Sequence, residues 1–165
     1  MRIYLPGSTT MLQELMDTGS LGPAPLTAFA VTPELREWYV DDDAEELEYA
    51  AMVEAARGSL RLIDADETAA RRRVVIAAEV PEESVTLRDD LDRGVVELTD
   101  VVPMSAIASV HVDDAEAEPT VAAAAEAVIA ADLGDPGSQE KVDDAEGYDL
   151  SWYATQEIPA YLALL

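Results

Sequence analysis

The spacing of apolar residues changes repeatedly along the chain, and each change marks an element. "RIYLP" reads as a short strand, Arg2 to Leu5, stopped by Pro6 and Gly7. Met11, Leu12, Leu15 and Met16 recur at helical spacing behind Ser8 or Thr9 as cap, and Gly19 stops that helix. After the loop "GSLGPAP" comes a second strand, "LTAFAV". "TPELREWYV" predicts a helix with Thr32 as its cap and Pro33 at the first helical position, where the missing N–H of proline costs no hydrogen bond.

The strongest helical pattern runs from about residue 43 to 63. Leu47, Ala51, Ala55, Gly58 and Leu62 recur at spacings of three and four and share one face. Tyr49, Met52, Val53, Ala56, Leu60 and Ile63 form a second apolar face, and Glu46, Glu54, Arg57, Arg61 and Asp64 crowd into the remaining stripe. A helix apolar over most of its circumference is largely buried, so this one is expected to be the central packing element. The charges in its stripe are spaced for ion pairs along the helix; the functional alternative is an arginine pair, Arg57 and Arg61, holding an anion.

"RRRVVIAAEV" is a strand from Arg73 to Val80, and its near-continuous apolar run predicts burial on both faces. "PEESVTLRDDLDRG" reads as a polar connection, "VVEL" as a strand over Val95 to Leu98, "VPMSAI" as a helical turn and "SVHV" as another strand. "TVAAAAEAVIAADL" is a helix, its seven alanines between Val121 and Ala131 permitting a close approach to a neighbour. A loop with a short acidic helix, a strand in "DLSWYA" and a last helix capped by Thr155 complete the chain. Two successive strands with no helix between them favour some antiparallel pairing. The expectation is therefore one α+β domain over residues 1–165: a single mixed β-sheet with helices packed against it.

Composition changes this picture in one respect. Asp and Glu number 35 against 10 Lys and Arg, a formal net charge of −25. Such a chain repels nucleic-acid phosphates and anionic membranes and attracts basic partners or divalent cations. Solubility or a saline or high-GC lineage explains the same charge without any partner. With no cysteine, disulfides, thiol nucleophiles and iron–sulfur clusters are excluded. The single lysine, Lys141, makes a poor basis for Schiff-base chemistry. The first residues lack an apolar signal core and no apolar run approaches a membrane span of ~18 residues, so a cytoplasmic protein is expected.

Candidate chemistry concentrates in "SVHVDDAEAEPTV", which holds the one histidine and four carboxylates. Alternation puts Ser109, His111 and Asp113 on one strand face, where a histidine and a carboxylate would meet a metal or form an acid–base pair. A cation here would need an oxygen-dominated site suited to Mg²⁺ or Ca²⁺, and no metal site is assigned. The simpler expectation is that Asp113, Asp114, Glu116 and Glu118 start the following helix, Asp113-x-x-Glu116 having the spacing of a capping box. Arg36 and Trp38 in "LREWYV", with Trp152 in "DLSWYATQEI", make a second set, since aromatics beside arginines line ligand pockets or partner surfaces. Packing in core and rim is the simpler expectation for them. Arg71 to Arg73, the one basic cluster, would dock an anion or pair with nearby acids. The ligand-binding candidates are therefore Arg36, Trp38, Arg57, His111, Asp113 and Trp152, and no cofactor is implied.

Glycine-rich phosphate loops, G-x-S-x-G and H-E-x-x-H are absent. "GPAPLTAFAVTPELREWY", "DAEELEYAAMVEAARGSLRL", "RRRVVIAAEVP", "VHVDDAEAE" and "LSWYATQEIP" resemble a family of uncharacterised actinobacterial proteins of this length, over nearly the whole chain. The resemblance implies a cytoplasmic protein of a high-GC bacterium and a domain of unknown function, and transfers no catalytic residue. The leading functional reading is a non-enzymatic, acidic binding or protein-interaction module for a basic protein or a small molecule. Its rival is a small-molecule enzyme, Mg²⁺-assisted, built on His111, Asp113 and Asp114 with Arg36 or Arg57. A mimic of nucleic acid is a third reading, weakened because the acids are spread along the chain.

Overall fold

The structure is a computed structural model that describes residues 1–39 and 43–165. Its frame is a seven-stranded sheet. In chain order the elements are β1 (Arg2–Gly7), α1 (Thr9–Thr18), β2 (Ser20–Leu21), β3 (Leu26–Phe29), α2 (Pro33–Trp38), α3 (Ala44–Ala65), β4 (Val74–Glu79), β5 (Val85–Leu87), β6 (Val95–Leu98), β7 (Val102–Pro103), β8 (Ile107–Val112), α4 (Glu118–Asp132), α5 (Pro136–Glu146), β9 (Ser151–Ala154) and α6 (Ile158–Ala163). The large sheet runs β5-β6-β3-β1-β4-β8-β9, and β2 and β7 form a separate pair. Every pairing is antiparallel. The α+β class with helices against the sheet therefore holds, and antiparallel pairing extends well beyond the two strands at which it was expected.

Alternation along β4 explains the layers. Val74, Ile76 and Ala78 face one side with Ile3, Leu5, Val110 and Val112, under Leu12 and Leu15 of α1 and Ile158 and Tyr161 of α6. Val75 and Ala77 face the other with Tyr4, Phe29 and Val95, under Ala51, Ala55 and Ala56 of α3. The last turns of α3 then meet α4 and α5 through Leu60, Ile63, Val121, Val128 and Val142. The near-continuous apolar run of β4 thus has the double burial predicted for it.

Caps fix the helix starts. Ser8 accepts from the Met11 N–H, Thr32 from Leu35, Asp43 from Glu45 and Asp135 from Ser138. The Val40 end of "TPELREWYV" lies outside the described residues. At Gly58, α3 lies directly on β1: a Cβ there would stand 2.7 Å from Pro6 Cγ. The Ser59 hydroxyl donates to the Gly7 carbonyl at 2.7 Å and accepts from the Val74 N–H at 2.9 Å, joining the end of β1 to the start of β4. Because α3 has reached the end of β1 at Ser59, its next turn projects past the sheet. Leu62, placed on the buried face by its spacing, is accordingly 36% exposed.

Two further expectations are corrected. Pro6 and Gly7 do not stop the first strand, since both stay in register with β4, opposite Val75 and Val74. A proline is tolerated in a ladder where its missing N–H would point away from the paired strand. The stretch read as a polar connection contains β5, an edge strand whose Thr86 and Leu87 are exposed and which therefore shows no buried face to sequence inspection.

Candidate functional site

The second apolar face of α3 is the origin of the site. Its C-terminal half, Leu60 and Ile63, is covered by α4 and α5. Its N-terminal half is not. Tyr49 is 60% exposed, and Met52 and Val53 are half-buried. Together with Ala56, Leu60 and Val142 they floor a cleft of about 450 Å³ between α3, α5 and the α5–β9 connection, walled by Arg57, Arg73, Glu146, Tyr148 and Asp149. A second depression of about 350 Å³ shares Tyr49 and Val53 with it and extends to Trp38, Tyr39, Glu46, Glu54, Asp92 and Arg93. The two form one groove along α3, apolar at its base and charged at its rim.

The electrostatics of the rim are one-sided. Arg57 donates to Asp132 and to Gln139, both at 3.0 Å, and Arg61 makes a two-pronged contact with the same Asp132 at 2.7 and 2.9 Å. Ion pairing along α3, as its spacing suggested, gives way to pairing between helices: the arginine pair does hold an anion, and the anion is the carboxylate at the end of α4. Arg61 and Arg57 keep the Asp132 carboxyl below its usual range. Arg73 is spent on Asp113, and the Arg93 guanidinium lies 3.5 Å from the centre of the Trp38 ring. By contrast Glu46, Glu54, Glu146 and Asp149 take part in no ion pair among the described residues. Both residues are exposed, yet partial desolvation at the groove, then neighbouring acids, pushes the Glu54 and Glu146 carboxyls up. The groove therefore carries unbalanced negative charge beside apolar surface.

The acids after His111 disperse to separate partners. Asp113 is fully buried and does not cap a helix; it continues the β4–β8 ladder opposite Arg73, accepting from its side chain through both oxygens at 2.8 Å and from its backbone N–H at 2.7 Å. Asp114 accepts from the Ser151 hydroxyl at 2.9 Å, and Glu118 from Arg72 at 2.7 Å. The residue before α4, Ala117, offers no side-chain cap; Pro119 in its first turn has no N–H that needs one. The capping-box spacing of Asp113 and Glu116 is thus overridden by pairing across the sheet. Among the described residues no three His, Asp or Glu side chains converge as a metal site.

His111 is half-buried, with its Nε2 3.2 Å from the Ser109 hydroxyl. Burial, then the positive charge of Arg2, lowers its pKa. Trp152 lies opposite it across β8 and β9 and is 61% exposed. Of the sequence-derived candidates, then, His111 and Trp152 meet on the sheet, Arg57 walls one end of the groove and Trp38 the other, Asp113 is closed off behind Arg73, and Arg36 is exposed on α2. His111, Asp113 and Asp114 are not walls of the groove. Sequence reasoning missed Tyr49, Met52 and Val53 as a surface because their spacing is that of a buried face. The one signal was the tyrosine, a ring with a polar tip, with Glu46 one turn before it at a spacing of three.

A protein-family model described as a family of unknown function (DUF6912) matches residues 1–162 of the chain. No curated protein and no solved structure matches it. No helix among the described residues is long and apolar enough to cross a membrane.

Proposed function

The chain belongs to that family of unknown function, and within it we propose a non-enzymatic binding module, cytoplasmic in location, whose α3 groove receives a basic, partly apolar segment of a partner protein. The observation that carries the reading is the uncovered half of α3: Tyr49, Met52 and Val53 offer apolar contact, while Glu46, Glu54, Glu146 and Asp149 stand around them without ion-pair partners among the described residues. An aromatic anchor at the centre of a groove supplies affinity, and charge around it supplies orientation and rate. The net charge of −25 works in the same direction for a cationic partner and against phosphates.

Titration with labelled peptides tests this. A Lys- and Arg-rich peptide carrying leucines is compared with an acidic peptide of the same length, each at low and physiological salt. Saturable binding of the basic peptide alone, weakened about fivefold or more by Tyr49→Ala, supports the groove. Equal binding by wild type and Tyr49→Ala would mean that the basic peptide adheres to the acidic surface at large, and the groove would lose its role.

A further inference from the structure

Resting on the groove reading, we infer that its Trp38 end is a subsite for a guanidinium, so that the partner presents an arginine there, and that Arg93 occupies this subsite in the unbound protein. The Arg93 guanidinium stands 3.5 Å from the centre of the Trp38 ring, which is closer than a point cation needs and suits a flat group laid on a flat ring. Trp38 remains 61% exposed with Arg93 in place, so much of the side chain is still open to solvent. Arg93 forms no salt bridge with a described residue, although Asp92, Glu46 and Glu54 share the same depression. Asp92 uses one oxygen on the Arg93 backbone N–H at 2.7 Å and leaves the guanidinium to the ring.

The connection between β5 and β6 brings Arg93 here. Gly94 follows it with φ +79, a conformation that suits glycine, and turns the chain into β6. The carbonyl of Gly94 then accepts from the Ala30 N–H at 2.8 Å, beside the start of α2 that carries Trp38. Arg93 and Trp38 thus come from two elements anchored next to each other. The side chain is held by the ring contact and by the nearby charge of Glu34, with no salt bridge to a described residue, so an incoming arginine replaces like with like. Lysine cannot stack flat, and discrimination between the two cations follows from this geometry.

The test uses the full chain with Trp152→Phe, leaving Trp38 as the one tryptophan. Two peptides are titrated, identical except that one carries arginines and the other lysines. Wild type, Arg93→Ala and Arg93→Lys are compared, following Trp38 emission and peptide anisotropy, with thermal melts as a check on folding. Both substitutions are expected to tighten the arginine peptide by about two- to fivefold and the lysine peptide by less, with Trp38 emission changing on arginine binding. Arg93→Lys keeps the charge, so a gain there is not a general electrostatic effect. Equal gains for both peptides, gain only in Arg93→Ala, or no gain would overturn the subsite while leaving the groove reading standing. Failure of both peptides to bind any of the three proteins would overturn the two together.

Discussion

Arg73 and Asp113 face each other one step beyond the last ladder pair of β4 and β8, and both of the carboxylate oxygens accept from the guanidinium at 2.8 Å. Their side chains are 4% and 0% exposed. The same guanidinium donates to the Tyr148 carbonyl at 3.0 Å, and the Tyr161 hydroxyl donates to the Asp113 carbonyl at 3.2 Å. These two residues therefore join the sheet, the wall of the groove and α6, the first two through the ion pair and the last through the Asp113 backbone.

Removing one partner of such a pair leaves a buried charge uncompensated. Asp113→Ala is expected to cost about 3–5 kcal/mol in urea unfolding. The double variant Arg73→Met with Asp113→Leu should be less damaging than Asp113→Ala, because no charge is left inside. A double variant as unstable as the sum of its singles would show that the hydrogen bonds to backbone, and not the charges, dominate.

Leu47 and Leu62 separate the covered part of α3 from the part beyond the sheet. Leu47→Ala should lower stability by about 2–5 kcal/mol, since the side chain is wholly buried. Leu62→Ala should change it by less than about 1 kcal/mol. Comparable losses at the two positions would contradict the end of the α3–sheet contact at Ser59.

Gly58→Ala removes a residue that costs a helix about 1 kcal/mol relative to alanine, so propensity alone predicts a gain. The added Cβ meets the Pro6 ring, 2.7 Å from Cγ, and a ring in a strand yields little. The expected result is a net loss of about 1 kcal/mol or more, read as a lower thermal midpoint. A higher midpoint would show that α3 can lift from β1 freely.

His111 is the one histidine, so its proton resonances titrate alone. Burial and Arg2 hold its pKa below the ordinary 6.5. The unfolded chain therefore takes up the proton first. The stability this contributes is fully present above about pH 6.5 and is lost as pH falls through the folded value. At salt high enough to screen the long-range negative field, NMR should give a midpoint under 6.5. His111→Gln should flatten stability against pH in that window; a midpoint above 6.5 would contradict the buried placement.

Legibility in the sequence followed the range of the interactions. β4 and β6 were readable because a run of buried apolar residues signals itself locally, as did α3 and the alanines of α4. β2 and β7, two residues each, carry no period at all. Asp113 was misread because the spacing to Glu116 is local, whereas its partner Arg73 lies 40 residues away. Asp132 takes Arg57 and Arg61 across more than 70 residues in the same way. The groove was least legible of all. Its floor has the composition of a core, and only the extent of cover from α4 and α5 decides which half of the α3 stripe is surface.

The strand order also bears on how the chain assembles in time. β1 sits in the middle of the sheet, yet its neighbour β4 is reached only after α1, α2 and α3, and Arg2 pairs with Glu79, 77 residues on. During synthesis β1 remains open on one flank until β4 has emerged, and the sheet is completed only when β9 arrives. Contacts of such long sequence separation make for slow closure and a window in which an unpaired strand is exposed. The dense negative charge then acts before the fold exists, keeping nascent chains apart while their central strand waits for its neighbour.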